Sequence, residues 1–392
     1  HPHVHRAAQT WRGRQQRHHE HGASVCFDFG LGDTQPAHCF HADFGGVDGG
    51  GRGGFFGVET ANMNPSANNA FLHLKRRWQM GWSIGLLAYA RSPLRWQCQN
   101  LWVWLCVRLA RWRFFSLPPL PPLNAEQMTR LHLYCKLRTP FAIPDQSITA
   151  QDIGLGKQSQ YAGDLLRCLY PYFLNERFVK EFGDVTWIPE VPSFVKSRPI
   201  AGDHQNAVLL PLNVRRHLIF PSDPTPFESK KSQIIFRAGS YPPQRLAFLN
   251  VARGLPFCDA GDSKLPKDHP YHRPWVSIHE QMKCKYIVSI EGNDVATNLK
   301  WILHSNSLCL MPKPRFETWF LESRLIAGVH YVQLEEDYSN LIAVFEHYEK
   351  NPQDALTIIG HAQAYTQSFL DSAQEQLLAK HVCKAYFDAQ KG

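Results

Sequence analysis

Two stretches of the sequence set anion-binding residue types where an apolar run gives way to a helical one. In residues 234–245, IIFRAGSYPPQR, the run ends in Arg237, Gly239 and Ser240, ahead of a helix expected to begin near Arg245. In residues 287–300, IVSIEGNDVATNLK, the run ends at Glu291 and Gly292, and a helix is expected to start between Asp294 and Thr297. Free backbone N–H groups at a helix start attract anions, and arginine adds fixed positive charge. Together the two turns suit a diphosphate. Each pattern also occurs without a ligand: a strand-end arginine as a surface ion pair, a Gly-Asn-Asp run as a plain turn.

Such turns need strands and helices to aim them. From Cys284 onward KYIVSI, SLCLM and VHYVQL read as strands, alternating with the helical patterns TNLKWILHSN, RFETWFLESRLI and SNLIAVFEHYEKN. Residues 352–390 are almost continuously helical in pattern. Upstream, AEQMTRLHLYCKL and YAGDLLRCLYPYF are amphipathic at helical spacing, SQIIF is a short strand, and QRLAFLNVARG is a helix stopping at Gly254. GDVTWIPEVPSFVKSRPI and AVLLPL read as strands and loops punctuated by proline. Alternation of this kind predicts an α/β fold with parallel strands covered by helices, its ligands beyond the carboxyl ends of the strands. A chain of 392 residues predicts two domains.

Composition narrows the chemistry. Hydrophobic residues make up 44% and charged residues 19%, as in a globular protein. The ten cysteines are scattered with no CxxC pair, which predicts buried thiols in a reducing compartment rather than disulfides or a zinc site. DIGLGKQS lacks the first glycine of a phosphate loop, since Gln151 stands there, and neither GxSxG nor HExxH occurs. No signal-peptide pattern appears at His1 or Met63. The apolar runs GWSIGLLAYA and LWVWLCV are about half the length that spans a bilayer.

Residues 1–62 hold 8 of the 20 histidines and 12 of the 26 glycines without any sustained apolar period. They are expected to be a disordered or spurious upstream extension, with Met63 as the true start; HPHVH and RHHEH leave a metal-binding tail as the competing reading. Residues 63–125 contain no acidic residue, but carry eight lysines and arginines and six of the eleven tryptophans. That mixture suits an anionic lipid surface, or a helical subdomain with tryptophans inside and arginines outside. Nucleic acid is set aside because no recognised nucleic-acid module accompanies it. SLPPLPPLN (116–124) should be an extended linker.

KYIVSIEGNDVATNLKWILHSNSLCLMPKPRFETWFLES, followed by GVHYVQLEEDYSNL, resembles glycosyltransferase family 90, above all its bacterial lipopolysaccharide core ("lipopolysaccharide A protein") branch, which is related to protein O-glucosyltransferases. FGDVTWIPEVPSFVKSRPI, VRRHLIF and FRAGSYPPQR fall upstream in matching order. The resemblance covers about 129–386 and fades before about residue 120.

It implies a GT-B architecture, two Rossmann-like domains facing a cleft: 126–230 as the acceptor-side domain and 231–392 as the nucleotide-sugar domain with closing C-terminal helices. It implies an inverting transfer of a hexose from a UDP-sugar to a lipopolysaccharide core or related glycan, with no metal required. Arg237, Gly239, Ser240, Arg245, Glu291, Gly292, Asn293, Asp294, Thr297, Asn298, Lys300 and Glu317 are then the expected donor-binding residues. Where eukaryotic relatives carry Ser and Arg early in the helix, this chain reads Ala296-Thr297-Asn298, so Arg237, Arg245 or Lys300 must neutralise the diphosphate. No aspartate stands just before IPEVPSF, where those relatives keep the catalytic one. Glu190 is the first choice for the base, Asp184 the second and Asp203 the third. Lys196, Ser197 and Arg198 sit where acceptor phosphates would bind. Glu317 and Glu322, on one expected helix, do not share a face; either could accept a sugar hydroxyl. Trp319 is expected in the core. The expected location is cytoplasmic and peripheral to the inner membrane. The alternative is a catalytically silent glycan- or lipid-binding protein on the same fold.

Overall fold

The computed structural model describes residues 93–109, 117–154, 156, 159–239 and 242–391. The expectations for 1–62 and 63–92 lie outside these residues. Helix α1 (Pro93–Leu109) is followed by the extended segment 117–124, where prolines preclude a helix, and then by α2 (Ala125–Tyr134). Asn124 starts α2 with a reciprocal cap: its side chain accepts from the Gln127 N–H at 2.8 Å, and the Gln127 side chain accepts from the Asn124 N–H at 2.9 Å.

After α3 (Ser159–Leu169) come the short strands β1 (Val179–Glu181), β2 (Ser193–Val195), β3 (Ser197–Pro199) and β4 (Ala207–Leu209). Strands β1, β2 and β4 form a parallel three-stranded sheet. A second parallel sheet holds β5 (Lys231–Ala238), β6 (Cys258–Asp262), β7 (Cys284–Val288), β8 (Leu308–Met311) and β10 (Val332–Gln333), in the order β10-β8-β7-β5-β6. All of β8 (LCLM) and the YIV run of β7 are buried, which accounts for their apolar sequences, and Lys285 falls at the one half-buried position of β7. From β5 the chain grows outward to β6 on one side and, through β7 and β8, to β10 on the other. The direction of growth therefore reverses between β5 and β7. Helices α4 (Pro243–Ala252), α5 (Leu299–His304), α6 (Leu341–Lys350) and α7 (Pro352–Gln367) alternate with or follow these strands. Pro243 opens α4 at no hydrogen-bonding cost.

The final helix, α8 (Ser372–Lys391), packs on α2 and α3 and finishes the core of the first sheet. Phe194 of β2 lies 4.3 Å from the Tyr386 ring, and the Tyr386 hydroxyl donates to the Pro192 carbonyl at 2.8 Å. Beside it a buried polar knot ties three elements together. Arg130 pairs with Glu375 at 2.6 Å, Trp319 Nε1 donates to Glu375 at 2.5 Å, and Tyr134 stacks on Trp319 at 3.8 Å. Trp319 is thus a core residue, 2% exposed.

Two helical expectations are corrected. RFETWFLESRLI is not a helix: Phe316–Thr318 is strand β9, antiparallel to β3, and Glu322–Arg324 is a short 3-10 turn entered through Leu321 at φ 53°. The cause is tertiary, a ladder carrying the buried Arg198–Glu317 ion pair at 2.7 Å. The helix after IVSIEG starts only at Leu299, because side chains hold 293–298 as a loop. The Asn298 amide donates to the Val288 carbonyl at 3.1 Å and accepts from Ser289 Oγ at 3.0 Å.

Candidate active site

The reversal between β5 and β7 opens a crevice at the carboxyl ends of both strands, where parallel α/β sheets bind ligands. It is the floor of a cleft of about 760 Å³. One wall comes from the second sheet: Arg237, Ala238 and Gly239 at the end of β5, Arg245 of α4, Lys264 after β6, and Gly292, Asn293, Asp294, Thr297 and Asn298 after β7. The other carries Asp184 after β1 and Arg215, Arg216 and His217 from the helical turn Val214–His217 after β4.

The two turns brace one another. Gln244 donates to the carbonyls of Glu291 (3.1 Å) and Gly292 (2.9 Å), and Tyr338 holds the Gln244 carbonyl at 2.9 Å. Arg245 donates from Nε and Nη2 to the Ile290 carbonyl at 3.2 and 2.9 Å. A Cβ on Gly292 would sit 3.1 Å from Arg245 Nη2, so glycine lets the guanidinium lie against the turn. Burial lowers the Arg245 pKa, with Asp262 and Tyr338 working against it; arginine remains a cation. Gly239 similarly admits Lys264, whose Cε lies 3.2 Å from where a Cβ would be.

Across the cleft, a buried ammonium joins the walls. Lys196 Nζ lies 2.6 Å from Asp184 Oδ1 and 2.7 Å from Asp294 Oδ2, while the Asn293 amide donates to Asp184 Oδ2 at 3.2 Å. Lys196 and Asp294 are nearly inaccessible, but 34% of the Asp184 side chain is exposed. Burial pushes the Asp184 pKa up; the Lys196 hydrogen bond and charge, then Asn293 and Arg216, outweigh it and hold it below the usual carboxylate range. Asp294 shifts the other way, its deep burial exceeding the help from Lys196. The cleft therefore contains an ionised, partly exposed carboxylate facing several cations. His217 is 4% exposed, its Nδ1 without a hydrogen bond. Burial, with Lys300, Lys196 and Arg216 nearby, drives its pKa well below 6.5, so the imidazole is neutral.

Of the expected donor residues, Arg237, Gly239, Arg245, Gly292, Asn293, Asp294, Thr297 and Asn298 line this cleft. Arg237 is tied down there, paired with Asp259 at 2.7 Å and donating to the Pro274 carbonyl at 3.0 Å. Glu291 lines a smaller neighbouring cavity and pairs with Arg315 at 2.9 Å. Lys300 and Glu317 lie outside the cleft lining: Lys300 is buried against Glu322 at 2.5 Å, Glu317 against Arg198 and Ser323. Ser240 is outside the described residues. Among the expected bases, Asp184 lies in the cleft. Glu190 is exposed in a loop whose carbonyl accepts from Asn206 at 2.7 Å, and Asp203 is exposed and bonded to Gln205. Lys196, Ser197 and Arg198 are buried, so they bind protein groups here rather than presenting charge to solvent. Arg215, Arg216, His217 and Lys264 carried no expectation. VRRHLIF follows a proline-broken strand, but the sequence gives no sign that its turn faces β5 and β7.

The eight described cysteines are unbonded thiols, and among the described residues no group of three or more His, Cys, Asp or Glu is arranged to hold a metal. The family model for Glycosyl transferase family 90 matches residues 224–391. The chain is also 44% identical over 266 residues to the O-glucosyltransferase LpsA of Dichelobacter nodosus, an alignment covering 68% of this chain and 84% of that protein.

Proposed function

The chain belongs to glycosyltransferase family 90, and from that premise we propose that it moves glucose from UDP-glucose to a hydroxyl of a lipopolysaccharide core or related surface glycan. The observation that carries this reading is the cleft: it joins cations on both walls to one accessible, ionised carboxylate. Its volume lies in the range of cofactor-sized sites, roughly 300–1,000 Å³. The two sheets facing it and the return of α8 to the first sheet support a GT-B arrangement. The glucosyl assignment rests on the relative's name.

In this reading Arg245, Lys264 and the turn 292–298 hold the diphosphate from one wall, and Arg215 and Arg216 add charge from the other. Asp184 accepts the proton of the acceptor hydroxyl. The oxygen attacks the anomeric carbon from the face opposite the diphosphate, the bond from that carbon to the diphosphate oxygen breaks, and UDP leaves with the electron pair. The configuration inverts. Fixed cations stabilise the departing charge without reorganising at the moment of transfer, so the step needs no metal. Lys196 positions Asp184 and keeps it ionised.

The test is UDP release from UDP-glucose, UDP-galactose, UDP-xylose and UDP-N-acetylglucosamine, with truncated lipopolysaccharide as acceptor. Acceptor-dependent release from UDP-glucose alone is expected. Tight UDP binding with no release from any donor would instead identify a binding protein that has lost turnover.

A further inference from the structure

Helix α1 has two faces of different character. The inner one packs on α3 through Val103 and Val107, 2% and 1% exposed, and is anchored by Arg167 donating to the side-chain Oδ1 of Asn100 and by Trp104 Nε1 donating to the Ile153 backbone carbonyl at 3.2 Å. Its approach to α3 needs a glycine, because a Cβ on Gly163 would overlap the Asn100 amide. The helix is therefore a built part of the layer around the first sheet.

The outer face is apolar yet open. Leu101 is 49% exposed, Leu105 38% and Leu109 66%, each four residues from the last and so on one stripe, with Trp102 beside it at 36%. Arg108 stacks its guanidinium 5.1 Å from the Trp104 ring at the stripe's edge. Contiguous apolar surface of this kind marks an interaction site. The sequence around it indicates the partner's charge: 63–125 has eight lysines and arginines and no acid. No described helix is long and apolar enough to cross a membrane.

We propose that this face of α1 lies in the headgroup region of an anionic lipid leaflet, with Leu101, Leu105 and Leu109 among the acyl chains, Trp102 at the interface and Arg108 on lipid phosphates. Apolar area and electrostatic attraction add in such a helix, so neither alone suffices. Neutral lipid lacks the second term. Attachment is independent of the sugar chemistry, so it stands or falls apart from the transferase reading.

The experiment is flotation of the full chain with vesicles of phosphatidylcholine alone or mixed with phosphatidylglycerol, for wild type and Leu105→Glu/Leu109→Glu. Wild type should float with the anionic vesicles and remain behind with the neutral ones, and added salt should release it. The double variant should lose about ten-fold or more in apparent affinity, since two acyl contacts become charges. An unchanged circular dichroism spectrum and melting temperature identify a folded variant; if it does not fold, Arg108→Glu, exposed at the stripe's edge, replaces it and should weaken anionic binding several-fold. Equal flotation with both lipids, survival of binding in the glutamate variant, or a dimer that the glutamates split while vesicles go unbound would each overturn the proposal.

Discussion

Replacing Asp184 with asparagine separates its chemistry from its structural part. Asparagine keeps the shape and can still accept from Lys196, which lies 2.6 Å away, but it cannot take a proton from a sugar hydroxyl. Lys196 also retains Asp294 at 2.7 Å, so the variant does not strand a buried cation. A hydrogen bond to a charged group contributes roughly 1.5–3 kcal/mol. With a third of the side chain in solvent, about 1 kcal/mol is the reasonable cost here, or about 2 °C in melting temperature for a domain of this size. Loss of a general base costs about 10²–10⁴-fold in rate. UDP release should therefore fall by that factor in kcat, while the Kd for UDP and the melting temperature barely move. The pH profile supplies a second reading. Because the Asp184 pKa is depressed, the rate is full above the ordinary aspartate value of about 3.9 and falls only as pH drops through the lower folded value. The stability that Asp184 contributes follows the same sign, lost as pH falls through that value. Wild-type turnover in Asp184→Asn, together with loss of turnover in Glu190→Gln, would refute the assignment and return the base to the loop before β2.

Arg245→Gln should weaken UDP binding by about ten-fold or more, since a charge-assisted contact to phosphate is lost; calorimetry with UDP checks it. Gly292→Ala should act on the same contact more mildly, because the new methyl must push the guanidinium aside. Glu317→Gln leaves Arg198 buried without its counter-charge, and breaking such a pair costs about 3–5 kcal/mol; a large fall in melting temperature is expected, with UDP affinity per folded molecule unchanged. Removal of divalent metal with a chelator should leave the UDP release rate unaltered, as the cations of the cleft are side chains.

Local rules made much of this fold legible. The proline-rich connector, the helical spacing that follows it, the apolar runs in strands β5, β7 and β8, and the stop at Gly254 (φ 84°) are set by neighbours in the chain. The lining of the candidate cleft was legible where strand met turn, at 237–239 and 292–298, because the physics of a parallel sheet's carboxyl edge is carried in sequence order. What escaped were pairings between distant segments. Helical spacing in RFETWFLESRLI gave way to a ladder with β3, which lies 119 residues from Glu317 at Arg198. The cationic types of Lys196 and Arg198 were plain, but only folding reveals that carboxylates on Asp294 and Glu317 consume them. Arg215 and Arg216 became part of the cleft for the same reason: opposite walls are joined in space, not in sequence.

Helix α8 bears on synthesis. The first sheet's core lacks the Tyr386 and Phe387 rings until the second sheet has been made, so β1, β2 and β4 cannot settle as a finished unit while it is still being synthesised. The nascent first half must wait with Phe178 and Phe194 uncovered, a state that attracts chaperones and aggregates readily. Deleting residues 372–391 would then spare every strand and every cleft residue, yet yield a protein that cells clear by proteolysis.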